Sequence, residues 1–153
     1  MKSTQREGFT LLEIVPVLTI VAFLLTIVIV AVNPIKQLRE ARNTIRKNDI
    51  NLIADAIAER LYDDKKRVFF ARIPTGAALE ICGDTFTGSC VDLFDIRDIV
   101  DQYLIEIPLD PLSEDTDAIN EHTRYFINRS GVVFTITAPD TEPSGAEVIS
   151  ITR

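Results

Sequence analysis

The two cysteines of the chain, Cys82 and Cys90, have the most definite chemistry of any residues in the sequence. Seven residues separate them, including Gly83 and Gly88, whereas redox and zinc motifs usually place two residues between paired cysteines. The spacing therefore favours a loop closed by a disulfide bond, which would stabilise the fold by about 2.5 kcal/mol on chain-entropy grounds. The alternative is a pair of free thiols in a reducing compartment.

A Pro- and Asp-rich segment could bind a cation. It holds four carboxylates in one loop: Asp110, Glu114, Asp115 and Asp117. Crowded carboxylate oxygens suit Ca²⁺, but the spacing does not match a twelve-residue EF-hand loop. A run of acidic residues is more often a solvated loop. We therefore expect no cofactor and no bound metal, with Ca²⁺ as the alternative.

The sequence gives no support for an enzyme and names no catalytic residue. His122 is the only histidine, so a His-based metal site or a nucleophile activated by histidine is not credible. Gly-rich phosphate loops and the GxSxG and HExxH patterns are also missing from the sequence. We expect His122 to be an ordinary surface residue.

Two further polar groups have only weak functional interpretations. Asn128, Arg129 and Ser130 form an N-glycosylation sequon, but Asn and Ser are equally favoured in a hairpin turn, which is expected here. Four basic residues beside Phe69 and Phe70 could bind phosphate: Lys65, Lys66, Arg67 and Arg72. Because the net charge is −7 and no base-reading motif is present, we expect no specific nucleic-acid partner.

Glu13 lies near the start of the most apolar stretch, GFTLLEIVPVLTIVAFLLTIVIV. A charged side chain in the hydrocarbon of a bilayer costs about 3 kcal/mol on insertion scales. Something must therefore compensate for this carboxylate. One interpretation is a partner of opposite charge within the membrane, and the other is a position close enough to the interface to be hydrated.

The element that positions Glu13 is the apolar segment 9–32. As a helix it would be about 36 Å long, and a bilayer core is roughly 30 Å thick. It is too long for the core of a cleaved secretory signal, and no small-x-small cleavage pattern follows it. We therefore expect a membrane-anchored protein with one soluble domain. Basic residues on both sides leave the orientation ambiguous, although the excess after the segment would by itself place the soluble part in the cytoplasm.

The soluble part begins with a second helical pattern. Asn33 and Pro34 are typical of a helix start, and directly after another helix they predict a kink. From there to about Tyr62, apolar residues recur at helical spacing, with Arg46 among the charged residues assigned to the other faces. Further on we expect a short helix in VDLFDIRDIVDQYL, strands on either side of a turn at 128–131, and a last strand in EVISITR. This is an α+β arrangement in which the helix covers one face of a small antiparallel sheet.

The start of the chain resembles a type IV prepilin. A short charged leader ends at Gly8, Phe-Thr-Leu follows at 9–11, and Glu13 is the fifth residue after the glycine, within an apolar helix. VNPIKQLREARNTIRKNDI is similar to the helix that follows the membrane segment in many bacterial pilin-like proteins. IPLDP and the late strands look like their C-terminal domains, so the resemblance covers most of the chain.

The resemblance implies a pilin fold, in which one long N-terminal helix packs through its second half on a small antiparallel sheet. Its parts would be a cleaved leader (1–8), a transmembrane half-helix (9–32), an amphipathic half-helix (33–62) and a head domain (63–153). A prepilin peptidase would cut between Gly8 and Phe9 and methylate the new amine of Phe9. The N-terminus would be cytoplasmic, and the head would lie on the periplasmic or outer side of a prokaryotic cell membrane.

The resemblance also implies the partners. They are membrane lipid before assembly, an inner-membrane assembly platform, and copies of the chain and related pilins in a helical filament. Within that filament Glu13 would pair with the Phe9 amine of a neighbouring copy, since a buried charge is tolerable when it is paired. Pro16 and Pro34 depart from the family, many members of which have a proline nearer the middle of the membrane helix.

The expected function is therefore structural, as a subunit of a type IV pilus or a related filament. One alternative is a pseudopilin of a type II secretion system, because the major pseudopilins have a metal-binding loop near their C-terminal strands. A second is a membrane-anchored binding protein that never assembles. A third, a DNA-uptake subunit, is disfavoured by the negative charge.

Overall fold

The computed structural model describes residues 8–64, 68–83, 90–100, 102–113 and 122–153. The chain divides into two compact units, Met1–Leu38 and Arg39–Arg153, and each is described by itself. The described helices and strands, in chain order, are α1 (Leu11–Val32), α2 (Pro34–Asp63), α3 (Val68–Arg72), β1 (Leu79–Cys82), a 3₁₀ helix (Arg97–Ile99), β2 (His122–Ser130), β3 (Val133–Ala138) and β4 (Ile149–Thr152).

The first unit is dominated by α1, a helix of 22 residues without a single buried side chain. At 1.5 Å per residue it is about 33 Å long. By length and composition, it is the one described helical region that could cross a membrane. The hydroxyls of Thr19 and Thr26 donate to the carbonyls of Val15 and Ala22 at 2.9 and 3.0 Å. Both polar side chains are therefore satisfied within the helix, as an apolar environment requires.

Asn33 separates α1 from α2. Its φ of 46° and ψ of 70° place it in the left-handed region, which asparagine tolerates better than most residues. Its side-chain oxygen accepts a hydrogen bond from the Lys36 N–H at 3.3 Å, which satisfies one of the free donors at the start of α2. The predicted helix start at Asn33–Pro34 is thus present. The kink predicted within a continuous helix is instead a one-residue interruption.

The second unit is an α+β domain whose core lies between α2 and the sheet. Five apolar residues of α2 are buried: Ile50, Ile53, Ala54, Ala56 and Ile57. They belong to the same cluster as buried residues of β2 and β3, including Tyr125, Ile127 and Ile136. The predicted α+β class, with a helix covering one face of the sheet, is confirmed. The predicted apolar stripe was only partly right, because Leu38, Ile45 and Leu52 are exposed.

The sheet is antiparallel, with four strands in the order β1-β2-β3-β4. Ser130 pairs with Val133, so the β2–β3 turn consists of Gly131 and Val132. Gly131 has a φ of 61°, which glycine adopts without strain. The hairpin is present as predicted, but the turn was placed too early, because residues 128–130 complete β2.

Two other local predictions were wrong. The segment VDLFDIRDIVDQYL forms no α-helix among its described residues, and its regular part is the 3₁₀ helix Arg97–Ile99. Its apolar side chains are instead absorbed individually into the core, with Phe94, Ile96, Ile99 and Leu104 all buried. Conversely, α3 is a helix that the sequence did not predict. Its Phe69 is buried and packs edge-to-face against Phe94, with ring centroids 6.2 Å apart.

Candidate functional site

Glu13 has a partner within its own chain. One carboxylate oxygen, Oε2, accepts hydrogen bonds from the backbone N–H of Thr10 at 3.0 Å and from the Thr10 hydroxyl at 2.8 Å. Thr10 is the N-cap of α1, and Glu13 lies in its first turn, where the helix dipole also favours a negative charge. The pattern Thr-x-x-Glu is a capping-box signature that can be read from sequence. From the sequence, the partners expected for Glu13 were an opposite charge within the membrane or water.

The cap leaves part of the Glu13 carboxylate available. Its other oxygen, Oε1, accepts no hydrogen bond from the described residues. Gly8 and Phe9 are both exposed, and a Cβ added at Gly8 would meet nothing within 4 Å. The residues predicted for cleavage, methylation and assembly are Gly8, Phe9 and Glu13. All three are accessible and lie within six residues of sequence. Cleavage at Gly8 and pairing of Glu13 with another chain stay predictions.

A second concentration of charge lies in the head, where Arg46 is fully buried. Its Nε donates to Oδ2 of Asp110 at 2.6 Å, and a terminal nitrogen donates to Oδ1 at 3.0 Å. Both side chains have no exposed area. The prediction that Arg46 lies on a polar face of the helix was therefore wrong. Its partner is 64 residues away in the chain, so periodicity along α2 could not reveal it.

Glu142 extends this ion pair to the surface. Arg42 donates to both of its carboxylate oxygens, with 2.7 Å between the terminal nitrogen and Oε1. The two guanidinium groups, Arg42 first, lower the pKa of Glu142 to about 2. Asn43 completes the contact through both ends of its amide, since its Nδ2 donates to the Glu142 carbonyl at 2.6 Å and its Oδ1 accepts from the Glu142 N–H at 3.1 Å. We call Arg42, Asn43, Arg46, Asp110 and Glu142 the arginine clamp.

A half-buried acid, Asp49, lies three residues after Arg46 on α2. Tyr125 is fully buried, and its hydroxyl donates to Oδ2 of Asp49 at 2.6 Å. Burial raises the pKa of the Asp49 carboxyl, and Asp110 raises it further, although the bond from Tyr125 acts in the opposite direction. Burial raises the pKa of the Tyr125 hydroxyl as well. The arrangement ties α2 to β2 and to the segments that hold Asp110 and Glu142.

Of the four candidate calcium ligands, the structure describes only Asp110; Glu114, Asp115 and Asp117 lie outside the described residues. Both oxygens of Asp110 are bonded to Arg46, and Oδ1 also accepts from the Leu112 N–H at 2.9 Å. No group of three or more metal-ligating side chains occurs in the described part of the chain. Asp110 serves as the partner of a guanidinium, and the calcium alternative stays a prediction.

Cys82 and Cys90 are joined, with Sγ atoms 1.99 Å apart and Cα atoms 6.0 Å apart. Residues 84–89 of the enclosed loop lie outside the described residues. In the register of the sheet, Cys82 pairs with His122. The Nδ1 atom of His122 lies 2.8 Å from a carboxylate oxygen of Glu80, whose other oxygen accepts from the Arg124 N–H at 2.7 Å. His122 is therefore half-exposed with an acidic neighbour, next to the bridge.

The remaining candidates are the basic residues near Phe69 and the sequon at Asn128. Lys65, Lys66 and Arg67 lie outside the described residues. Arg72 forms an exposed ion pair with Asp98 at 2.8 Å, and its guanidinium lies 5.2 Å from the centre of the Phe69 ring. The sequon residue Asn128 is part of β2, opposite Thr135. No described contact joins these residues to the clamp.

The chain has no significant match to a protein-family model, a curated protein or a solved structure.

Proposed function

We propose that this chain is a structural subunit of a type IV pilus or a related filament. It is made as a prepilin, cut between Gly8 and Phe9, methylated at the Phe9 amine, and assembled through α1 with copies of itself. Until assembly, α1 holds the subunit in the cell membrane. In this proposal the chain is a building block with a pilin fold, and it catalyses no reaction.

The observation that carries the proposal is the combination of charge and exposure in α1. Glu13 is the only ionisable side chain of the helix, and every side chain of the helix is accessible. Such a surface requires lipid or other apolar helices around it. Placing a charged carboxylate in such apolar surroundings costs free energy unless the charge is paired. The free amine that cleavage would create on Phe9 is a suitable charge for this pairing.

The arginine clamp supports the second part of the proposal, a head that stays folded outside the membrane. It links α2 to segments 64 and 99 residues further along the chain. The Cys82–Cys90 bridge fits an oxidising compartment, where disulfides persist. A coat subunit of a filament needs this kind of stability, because its head must stay folded in the extracellular environment.

The decisive experiment is the mature N-terminus. Intact mass and N-terminal sequencing of filament preparations should give a chain that starts at Phe9 with one methyl group on its amine. Gly8→Val should leave uncut precursor in the membrane, whereas Val15→Ala, within the same apolar segment, should be processed normally. An uncut chain in assembled material, or a mature start after Asn33, would contradict the proposal. A chain that stays uncut and unassembled would indicate the membrane-anchored binding protein instead.

Cleavage alone does not separate a pilus subunit from a type II secretion pseudopilin. Deletion of the chain should abolish surface filaments that are visible by electron microscopy and leave protein secretion intact. Loss of secretion without loss of surface filaments would identify the pseudopilin alternative.

A further inference from the structure

The two outer strands of the sheet are protected to different degrees. β1 is covered on its outer side by the segment at Phe94, whose N–H donates to the Glu80 carbonyl at 2.7 Å and whose carbonyl accepts from the Cys82 N–H at 3.0 Å. β4 is bonded to β3 on one side only, and no described residue bonds to its other side. Its sequence, Ile-Ser-Ile-Thr, contains no proline or lysine that would prevent further pairing.

The register shows which groups of β4 are free. Arg153, directly after β4, exchanges both backbone hydrogen bonds with Phe134, at 2.9 and 3.0 Å. The direction of the backbone groups alternates along an antiparallel strand. The N–H and C=O groups of Ile149 and Ile151 therefore also point towards β3. Ser150 and Thr152 therefore direct their N–H and C=O groups away from the sheet. These outward groups can accept another strand.

A groove of about 590 Å³ lies between this open edge and α2. Asn43, Lys47, Ile50 and Asn51 line it from the helix, and residues 147–151 line it from the strand. Lys47 makes no ion pair with any residue that the structure describes. Ile149 and Ile151, the core-facing residues of β4, are only half-buried. A strand added at the edge would place its own core-facing side chains in this groove.

We propose that β4 pairs antiparallel with β4 of a second copy of this chain, about a two-fold axis that passes midway between the two Ser150 residues. Ser150 then lies opposite Ser150 of the second copy, with the outward backbone groups in the position that the ladder requires. Ile149 lies opposite Ile151 of the second copy, which extends the apolar layer. The pairing joins two four-stranded sheets into one continuous sheet.

The flanking charges select this register. Glu147 and Arg153 lie three residues before and three residues after Ser150, so each meets the opposite charge of the second copy, and the pair forms twice. A shift by two residues would keep the backbone groups paired but lose both ion pairs. Among the described residues, the Arg153 side chain forms an ion pair with one exposed acid, Asp55, at 2.6 Å, and Glu147 forms none. In such a two-fold contact both copies use the same surface, so the assembly stops at a dimer.

The test is the number of copies in the full-length protein, measured by native mass spectrometry in detergent micelles. The wild type should be a dimer. Ser150→Pro should be a monomer, because it removes an outward N–H that β3 does not use, and proline is tolerated at such edge positions. The matched variant Ser150→Ala keeps the backbone groups and should remain dimeric. A monomeric wild type would overturn the proposal, as would a dimer that survives Ser150→Pro, which would indicate association through α1.

Charge reversal provides an independent test that does not depend on how well the proline variant folds. Glu147→Arg and Arg153→Glu should each reduce the dimer at least tenfold, because each places like charges opposite one another twice. The double variant Glu147→Arg, Arg153→Glu restores the opposite charges and should restore the dimer. Failure of the double variant to recover would contradict the register. This inference concerns the head alone, so it can fail while the filament proposal stands, and the reverse also holds.

Discussion

Arg46 and Asp110 form a fully buried ion pair, in which two nitrogens of the guanidinium each donate to a different oxygen of the carboxylate, at 2.6 and 3.0 Å. Removing two charges from water is costly, and the double hydrogen bond offsets that cost only while both partners are present. The pair is therefore more sensitive to the loss of one member than to the loss of both. This asymmetry gives the first prediction.

Replacement of Asp110 by alanine should lower the free energy of unfolding of the head by about 3–5 kcal/mol, because Arg46 is left buried without its carboxylate. The double variant Arg46→Met, Asp110→Leu should recover much of the loss, since it removes both charges. Urea unfolding of the detergent-solubilised chain, followed by far-ultraviolet circular dichroism, measures both. Arg72→Ala, which breaks an exposed pair with Asp98, should cost less than about 1 kcal/mol. An equally mild effect of Asp110→Ala would contradict the structural role of the pair.

The second prediction concerns acid. The pKa of Glu142 is lowered from its ordinary 4.5 to about 2 in the folded protein. The group therefore contributes stability above pH 4.5 and loses it as the pH falls through the range down to about 2. Glu142→Gln should be less stable than wild type at pH 7, by roughly 2 kcal/mol, and the two should converge towards pH 2.

Urea titrations at a series of pH values test this convergence. Asp49, whose pKa is raised by burial, contributes with the opposite sign, but it is present in both proteins and cancels in the difference. A gap between wild type and variant that stays constant from pH 5 to pH 2 would show that the clamp does not depend on the charge of Glu142.

The third prediction is the redox state of the cysteines. Protein from the cell envelope, unfolded without reductant, should show no labelling of Cys82 or Cys90 by a thiol reagent, whereas both should be labelled after reduction. Cys90→Ser should lower the free energy of unfolding by about 2.5 kcal/mol, because the loop is no longer closed in the unfolded chain. Labelling of both residues in the unreduced sample would mean that no bridge forms.

The fourth prediction returns to Glu13 and rests on the proposed filament function. Glu13→Ala should reduce the yield of sheared filaments while the amount of subunit in the membrane holds or rises, because the alanine is easier to accommodate in lipid. The shorter Glu13→Asp should give an intermediate yield. Filaments at the wild-type level from Glu13→Ala would refute the pairing with Phe9.

Thr10→Val serves as the control for the hydrogen bonds within the chain. It removes the hydroxyl that donates to Glu13 at 2.8 Å but keeps the backbone N–H that donates at 3.0 Å. Filament yield should therefore stay close to that of wild type. A loss as large as that in Glu13→Ala would mean that Glu13 acts chiefly as a helix cap.

The sequence predicted well those elements that depend on residues close together in the chain. The apolar run of α1, the Asn33–Pro34 helix start and the β-rich runs of β2, β3 and β4 depend on neighbouring residues, and all are present in the structure. The errors concern residues whose burial depends on partners far away in the sequence. Arg46 was assigned to a solvent face because its partner lies 64 residues away.

The misplaced elements have a related cause. The apolar spacing of residues 91–104 fits a helix, but these side chains serve as separate contributions to the core around α3 and β1. For the candidate sites, the sequence predicted the bond between Cys82 and Cys90, which is present, but it did not predict the arginine clamp. The role of Glu13 in assembly stays a prediction. Only Thr10 could have been added from the sequence, through its position three residues before Glu13.

The arginine clamp also has a consequence for the order in which the chain folds. Asn43 and Arg46 are synthesised about a hundred residues before Glu142, with which both make hydrogen bonds. Contacts of such long sequence separation are slow to form, because a large loop must close before they yield any energy. Asp110 becomes available first, and until Glu142 follows, the Arg46 guanidinium on α2 lacks the second of its two acids. The arginine clamp is therefore completed only after the segment that holds Glu142 has been synthesised.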